Sequence, residues 1–218
     1  MWLTNSSVGR KVLMSVTGLF LVLFVTFHAL MNAVALISFD AYDAICEFLG
    51  ANWYAIAGTL VLAAGFAIHI ILAFIITFQN RKARGNNRYA VTAKPKEVEW
   101  ASQNMLVLGI IVLGVMVLHL TQFWAKMQLP EMMGEHVMNG SFYLKATFSQ
   151  WWVLPVYLVW FAALWFHISH GFWSAFQTLG TANDKWIKRW QCISKCWATV
   201  VFILFAVEAC YFTWFFAF

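Results

Sequence analysis

Residues 12–39, VLMSVTGLFLVLFVTFHALMNAVALISF, form an apolar stretch that contains no charged side chain. About 20 such residues are enough for a helix to cross a bilayer. Arg10 and Lys11 precede the stretch, much as basic residues precede the apolar part of a secretory signal peptide. The stretch is about twice as long as that part of a signal peptide, however, and no small-x-small cleavage site follows it. We therefore predict a membrane-spanning helix that stays in the mature chain.

The composition of the whole chain favours the same class of protein. Hydrophobic residues make up 62% of the 218 residues and charged residues only 11%, whereas a soluble domain has about 25% charged residues. Four more apolar stretches, at residues 53–79, 101–124, 151–179 and 192–217, are long enough to cross the membrane, and Gly180 is predicted to stop the fourth helix. The predicted fold is an all-α membrane protein, a bundle of five transmembrane helices in one domain over residues 1–218.

The basic residues predict the orientation of the bundle. Twelve of the 14 lysines and arginines lie near the N-terminus, in the loop at residues 81–96 or between residues 185 and 195, and only Lys126 and Lys145 lie on the other side. Loops rich in lysine and arginine stay in the cytoplasm. We therefore expect the N-terminus inside, the C-terminus outside, and a multi-pass location in a bacterial inner (cytoplasmic) membrane. The net charge of +5 does not predict nucleic-acid binding, because the charges lie in short loops.

Histidines recur inside the apolar stretches. His28, His69, His119 and His167 lie in the first four predicted spans, one in each, and His170 follows one turn after His167. A polar ring in hydrocarbon is costly, so a histidine within a span is by default a functional-site hypothesis.

Two of these histidines are predicted to share one level in the membrane. His69 lies 16 residues after Trp53, and His167 lies 16 residues after Trp151. Both tryptophans mark the outer ends of their spans, and a helix rises about 1.5 Å per residue, so both histidines lie about 24 Å from the outer face.

The other two histidines are predicted to lie in the outer half of the membrane. His28 lies 12 residues before Asp40, and His119 lies seven residues before Lys126. The sequence thus predicts two pairs of histidines at two levels, and the members of each pair come from different helices.

Two pairs at two levels favour axial ligation of two b-type haems, in which two imidazoles hold one iron from opposite sides. A histidine that merely forms a structural hydrogen bond is the alternative for any one of them. A zinc or copper transport site would instead place four ligands at one level, or add cysteine or carboxylate ligands. None of the four cysteines belongs to a C-x-x-C-H motif, so the haems would be bound non-covalently, and Cys192 and Cys196 are predicted to be free thiols. His136, in an outer polar segment, is predicted to be solvated.

Glycines occur near the candidate ligands. Gly65 precedes His69 by one turn, Gly114 precedes His119 by five residues, and Gly171 follows His167 by one turn. A porphyrin that lies against helix backbone needs such room, although small residues in membrane helices also serve ordinary helix packing.

Two motifs resemble a known family. Residues 15–21, Ser-Val-Thr-Gly-Leu-Phe-Leu, followed by His28, are similar to the first helix of the di-haem cytochrome b subunit of succinate:quinone oxidoreductases, a group that includes quinol:fumarate reductases with a five-helix, single-subunit anchor. Residues 166–174, Phe-His-Ile-Ser-His-Gly-Phe-Trp-Ser, are similar to that family's ligand motif in the fourth helix, where the first histidine is the ligand. The resemblance implies that His167 binds iron and that His170 is secondary.

The family resemblance implies cofactors and partners. His69 and His167 would hold the proximal haem b, and His28 and His119 the distal one. A flavoprotein subunit with covalent FAD would carry the succinate or fumarate site, an iron–sulfur subunit would dock on the basic inner face, and menaquinone would react near the distal haem. This chain would be the quinone-reactive subunit, in contact with membrane lipid and with no succinate or fumarate site of its own; the oligomeric state stays open, a dimer of complexes being one option.

Acidic residues are the candidates for quinone and proton chemistry. Trp165 stands where some family members have a glutamate of a proton relay, so that role does not transfer to this chain. Glu47 is the nearest candidate for the quinone-site acid, with Asp40 and Asp43 as rivals. Glu208 is the only carboxylate within the predicted spans and is a candidate for quinone-linked proton transfer.

Two other functions remain open from the sequence. The chain could be the haem b anchor of another respiratory enzyme, such as a hydrogenase or formate dehydrogenase. It could also be a metal or proton transporter whose histidines bind the transported ion.

Overall fold

A computed structural model describes residues 2–50, 52–84 and 99–217. The structure is 84% helical, and the described residues contain no strand. Five of the helices are long and apolar enough to cross a membrane. The predictions of an all-α fold and of five spans are therefore confirmed.

The helices follow one another in a simple order. They are α1 (Trp2–Asn5), α2 (Ser7–Ala33) with a 3₁₀ turn at Val34–Leu36, α3 (Phe39–Phe48), α4 (Trp53–Arg84), α5 (Trp100–Gln103), α6 (Met105–Gln122), α7 (Gln128–Met132), α8 (Gly140–Phe148), α9 (Val153–Thr178) and α10 (Ile187–Ala217). The spanning helices are α2, α4, α6, α9 and α10.

Several helix ends differ from the sequence prediction. α2 begins at Ser7 because the side chain of Ser6 accepts a hydrogen bond from the Gly9 N–H at 2.9 Å, so the charged residues Arg10 and Lys11 lie inside the helix. The predicted stop of the fourth span is confirmed: Gly180 has φ +79°, and its N–H donates to the Gln177 carbonyl at 3.1 Å. The apolar stretch thus locates a span, while the capping group sets where its helix ends.

The spanning helices alternate in direction and define two sides. We call the side that holds the start of α2, the end of α4, α5 and the α9–α10 turn the amino-terminal side, and the side that holds α3, α7 and α8 the carboxyl-terminal side. Arg81 and Lys82 are exposed in the last turn of α4. Arg88, Lys94 and Lys96, which belong to the predicted basic loop, lie outside the described residues.

α9 is the central helix of the bundle. It packs against α2, α6 and α10, whereas α4 packs mainly against α2. A third of the most apolar part of α9 is buried (33%), against 11% for α4. Large apolar side chains such as Leu23, Leu60 and Val159 project outward from the spans, as side chains in contact with lipid do.

The short helices α3 and α8 pack together at the carboxyl-terminal end of the bundle. α8 packs against α3, α9 and α10, and the buried ring of Phe148, its last residue, lies 5.7 Å from the ring of Phe212 on α10 between centroids. The carboxylate of Asp43 on α3 accepts hydrogen bonds from the backbone N–H and the hydroxyl of Ser141, both at 2.7 Å. Asp43 on α3 therefore supplies a hydrogen-bond acceptor for a backbone N–H in the first turn of α8, which has no partner within its own helix.

Candidate metal centres

His28 of α2 and His119 of α6 face each other near the carboxyl-terminal side. Their ring centroids are 5.8 Å apart and the ring planes are nearly perpendicular, at 88°. Aromatic rings surround the pair: Phe24 stacks on His28 at 5.5 Å, Phe205 of α10 lies 6.2 Å from His28, and Trp160 of α9 lies 5.4 Å from His119. Four helices thus enclose this pair in apolar surroundings.

His69 of α4 and His167 of α9 form the second pair, nearer the amino-terminal side. Their ring centroids are 6.3 Å apart, with an interplanar angle of 67°. Each ring rests against a glycine of another helix: a Cβ on Gly18 of α2 would lie 3.4 Å from Cε1 of His69, and a Cβ on Gly109 of α6 would lie 3.7 Å from Cε1 of His167. The structure therefore brings together the histidines that the comparison of levels predicts to pair.

The two pairs lie at clearly separate depths. On α2, Gly18 beside the second pair precedes His28 of the first pair by ten residues. On α6, Gly109 precedes His119 by ten residues as well. Ten residues of helix rise about 15 Å, so the two levels are separated by about half the thickness of a hydrocarbon core of about 30 Å.

The spacing within each pair suits one metal ion held between two imidazoles. Metal–imidazole bonds are about 2.0 Å long, so two imidazoles on opposite sides of one ion have ring centroids about 6 Å apart. The observed 5.8 and 6.3 Å agree with this value. Among residues 2–50, 52–84 and 99–217, no group of three or more histidine, cysteine, aspartate or glutamate side chains is placed to hold a metal ion. Each pair supplies two protein ligands, the number that a haem iron takes in addition to the four porphyrin nitrogens.

The remaining ring nitrogens have different partners. Nδ1 of His119 lies 3.1 Å from the hydroxyl of Tyr157, and Nδ1 of His69 lies 3.3 Å from the hydroxyl of Thr17. Nδ1 of His167 is buried and has no hydrogen-bond partner. A metal-bound histidine usually donates its second N–H to such a group, and the partner fixes the tautomer and the ring orientation.

His170 does not face the second pair with its Nδ1. That nitrogen lies 3.2 Å from Oε2 of Glu99, which also accepts from Nε1 of Trp173 at 3.4 Å. Nζ of Lys195 lies 3.1 Å from Oε1 of the same carboxylate. Burial acts to raise the pKa of Glu99, but the hydrogen bonds from His170 and Lys195 outweigh it and lower that pKa. The role of His170 as a secondary cofactor-binding residue stays a prediction.

Glu208 is a buried carboxylate on α10. Its side chain is 4% exposed, and Oε1 has no hydrogen-bond partner. It lies one turn along α10 from Phe205, the ring that approaches His28. Burial is the main cause that raises the pKa of Tyr42 on α3 well above its ordinary value, and charge on Cys46, Asp43 and Glu208 adds to the effect.

The other acidic candidates lie on the surface or have structural partners. Asp40 and Glu47 are exposed on α3. Asp43 binds Ser141 and stabilises the start of α8. Their part in a quinone site stays a prediction, and the contacts of Asp43 supply a structural role for that residue.

The glycines that the sequence singled out are not the ones in contact with histidine rings. A Cβ on Gly65 would lie 2.9 Å from Cε1 of Phe20, so this glycine allows close packing of α4 on α2. A Cβ on Gly114 or Gly171 would meet no atom within 4 Å. The contacts come from Gly18 and Gly109, because the ring of a histidine reaches across to a neighbouring helix rather than along its own.

Sequence analysis missed three residues near the sites: Gln122, Tyr157 and Glu99. Gln122 follows His119 by three residues, so both lie on one face of α6. An amide side chain inside an apolar stretch is unusual, and this feature of the sequence could have identified Gln122. The contact of Tyr157 with His119 could not be predicted from the sequence, because it depends on how α9 is rotated against α6. Trp165 donates from Nε1 to the hydroxyl of Thr199 at 2.9 Å and so joins α9 to α10.

Comparisons with protein-family models, curated proteins and solved structures found no match for this chain. The two histidine pairs are therefore the features of this molecule that point to a function.

Proposed function

We propose that this chain is a membrane-embedded electron-transfer subunit that binds two b-type haems. One observation carries the proposal: two pairs of facing imidazoles, each joining two helices, lie at two depths of a five-helix bundle. His28 and His119 would hold the iron of the distal haem, and His69 and His167 that of the proximal haem. When bound, each haem supplies one-electron transfer across its part of the membrane.

The protein residues hold and orient these ligands. His28 with His119, and His69 with His167, would each supply both protein ligands of one haem iron, an arrangement that suits electron transfer rather than binding of oxygen or substrate. Gly18 and Gly109 let the imidazoles of His69 and His167 lie close to neighbouring helices. The aromatic rings around His28 and His119 give this pair apolar surroundings, which suit a site that passes electrons rather than one that carries out acid–base chemistry.

We further propose that the chain anchors a succinate dehydrogenase or fumarate reductase complex. The motifs at residues 15–21 and 166–174 support this assignment, as does the excess of basic residues on the amino-terminal side. A flavoprotein subunit with covalent FAD would act on succinate or fumarate, and an iron–sulfur subunit would dock on the basic side. Menaquinone would react near the His28/His119 pair, and the complex would lie in a bacterial inner membrane with its N-terminus inside.

The haem content of the purified protein tests the core of this proposal. We expect two non-covalent haems b for each chain, and a reduced-minus-oxidised absorption spectrum typical of low-spin cytochrome b. Replacing His28 or His119 should remove mainly one haem, and replacing His69 or His167 the other. A ratio of one haem per chain, or none, would contradict the proposal.

The identity of the partners is tested separately, by purifying the complex from its native membrane through a tag on this chain. Co-purification of a flavoprotein that oxidises succinate supports the dehydrogenase or reductase assignment. If the chain binds two haems but co-purifies with a hydrogenase or a formate dehydrogenase, the electron-transfer function is supported and the chain is the anchor of that enzyme instead. If the chain binds no haem and transports a metal ion, electron transfer is contradicted and the chain is a transporter.

A further inference from the structure

A buried chain of hydrogen bonds lies behind His119. The hydroxyl of Tyr157 on α9 is 3.1 Å from Nδ1 of His119 and 2.7 Å from Oε1 of Gln122. Tyr157 is 3% exposed and Gln122 is 8% exposed, so both polar groups lie inside the apolar part of the bundle. Buried polar groups of this kind are costly unless they are paired with each other.

The direction of each hydrogen bond follows from the number of hydrogens. Tyr157 has a single hydroxyl hydrogen, and it donates this hydrogen to the carbonyl oxygen of Gln122. The hydroxyl oxygen can then only accept from His119, so Nδ1 carries the hydrogen. In a neutral imidazole the other nitrogen, Nε2, is left with its lone pair and is ready to bind a metal ion.

The ligands of the other pair have different surroundings. Nδ1 of His167 is buried and unpaired. Nδ1 of His69 lies 3.3 Å from the hydroxyl of Thr17, which donates to the Leu13 carbonyl of its own helix at 2.9 Å. The ring of His69 also has a hydrogen bond to the backbone of Met14. The two sites therefore differ in the kind of group that approaches the ligand ring: a buried tyrosine held by a glutamine at His119, and helix backbone with a threonine at His69.

We propose that Tyr157, oriented by Gln122, is a positioning residue that fixes the tautomer of His119 and lowers the reduction potential of the haem held by His28 and His119. This inference rests on the proposed function. A hydrogen bond donated from Nδ1 raises the electron density at Nε2 and makes it a stronger ligand. A stronger donor stabilises ferric iron more than ferrous iron, and hydrogen bonding around the axial ligand is one of the means by which proteins set haem potentials.

The first experiment is a redox titration of the purified complex with Tyr157→Phe. Phenylalanine keeps the ring that packs against Phe148, Trp160 and Phe161 and removes only the hydroxyl. We expect both haems to remain and one of them to shift to higher potential. At a fixed applied potential, we expect the ratio of oxidised to reduced form of that haem to change about tenfold. For a one-electron couple this corresponds to a shift of about 59 mV in its reduction potential.

Tyr143→Phe is the matched control. Tyr143 is also a buried tyrosine near the carboxyl-terminal side, but its hydroxyl accepts from the backbone N–H of Met138 rather than from a histidine. We expect this variant to leave both potentials unchanged. Equal shifts in the two variants, or no shift of either haem in Tyr157→Phe with both haems bound, would overturn the proposal.

The second experiment needs no haem. In the haem-free chain in lipid nanodiscs, ¹⁵N chemical shifts of labelled histidine report which ring nitrogen carries the hydrogen. We expect His119 to be in the Nδ1–H form, and in a mixture of both forms in Tyr157→Phe. An Nε2–H form in the unchanged chain would mean that Tyr157 donates to His119, which overturns the proposal even if Tyr157→Phe fails to fold. A chain that binds no haem would overturn the proposed function, whereas the tautomer of His119 would still decide the hydrogen-bond direction.

Discussion

His167 and His170 lie one turn apart on α9 and have different surroundings. His167 faces His69, while Nδ1 of His170 binds the carboxylate of Glu99. We expect His170→Ala to keep both haems and His167→Ala to lose the one shared with His69. Haem content and the absorption spectrum of the purified variants are the measurement, and the reverse result would place the ligand one turn away.

Glu208 is the residue on which a proton-linked role can be tested. Electrons that move inward without a proton work against about 2.3 kcal/mol per 100 mV of membrane potential, and a low-potential quinol has little driving force to spare. In proteoliposomes that contain the complex, menaquinol and fumarate, we expect Glu208→Gln to slow turnover or to leave it generating a potential. Glu135→Gln, which changes an exposed carboxylate, is the control. Unchanged rate and unchanged potential in Glu208→Gln would remove this residue from the mechanism.

Pairing of the histidines could be predicted from single residues, but their hydrogen bonds could not. Trp53 and Trp151 mark the interface, so counting residues from them sets the depth of His69 and His167. Depth says nothing about rotation of a helix about its own axis. The contact of Tyr157 with His119 needs a particular rotation of α9 against α6, and that rotation results from packing along the whole helix.

At the scale of the helix, Gly65 controls how closely α4 approaches α2. A methyl group there would lie 2.9 Å from Cε1 of Phe20, which is too close. We expect Gly65→Ala to destabilise the bundle by about 1–3 kcal/mol, the usual cost of overpacking. Thermal unfolding in detergent measures the change.

Gly58 on the same helix provides the control, because a Cβ there meets no atom within 4 Å. Gly58→Ala should be neutral or slightly stabilising, since alanine favours a helix over glycine by about 1 kcal/mol. Equal losses of stability in the two variants would show that helix propensity, and not the contact with Phe20, decides the outcome.

Glu99 joins the segment before α6 to α9 and α10 through His170 and Lys195. Its pKa lies below the ordinary value of 4.5, so the folded state favours the ionised carboxylate. The resulting stabilisation is fully present above that value and is lost as the pH falls through the folded pKa. We expect the melting temperature to fall on acidification below about pH 4.5, and to fall less in Glu99→Gln. Glu135→Gln should behave like the unchanged protein; the same behaviour in Glu99→Gln would contradict a stabilising role for this carboxylate.

The ends of the helices are set by capping side chains and glycines, which a hydropathy profile does not detect. The apolar stretch of the first span starts at residue 12, but the helix starts at Ser7, where the hydroxyl of Ser6 satisfies the Gly9 N–H. Gly180 was predictable because only a residue that tolerates positive φ closes such an end without strain. Contacts between distant segments, such as Asp43 with Ser141, leave no periodic pattern in the sequence.

At the scale of the molecule, the excess of lysine and arginine on the amino-terminal side predicts its orientation. We expect a single cysteine at Asp184, in a chain without its native cysteines, to react with an impermeant maleimide only after the cells are opened. A cysteine at Glu135 should react in intact spheroplasts. Both positions are exposed. The opposite labelling pattern would place the basic side outside and exclude an iron–sulfur partner in the cytoplasm.

The packing of α4 mainly against one spanning helix has a consequence for how cells control the amount of this protein. α4 packs mainly against α2, yet His69 faces His167 of α9 across the bundle. Iron bound between those two rings would tie α4 to the central helix, and a ligand that binds only the folded state protects it from unfolding. In newly made chains that lack haem, α4 would be held mainly by α2 and so be more open to membrane proteases. Under haem starvation we expect synthesis to continue at its normal rate, degradation to accelerate, and the first cleavage to fall beside α4.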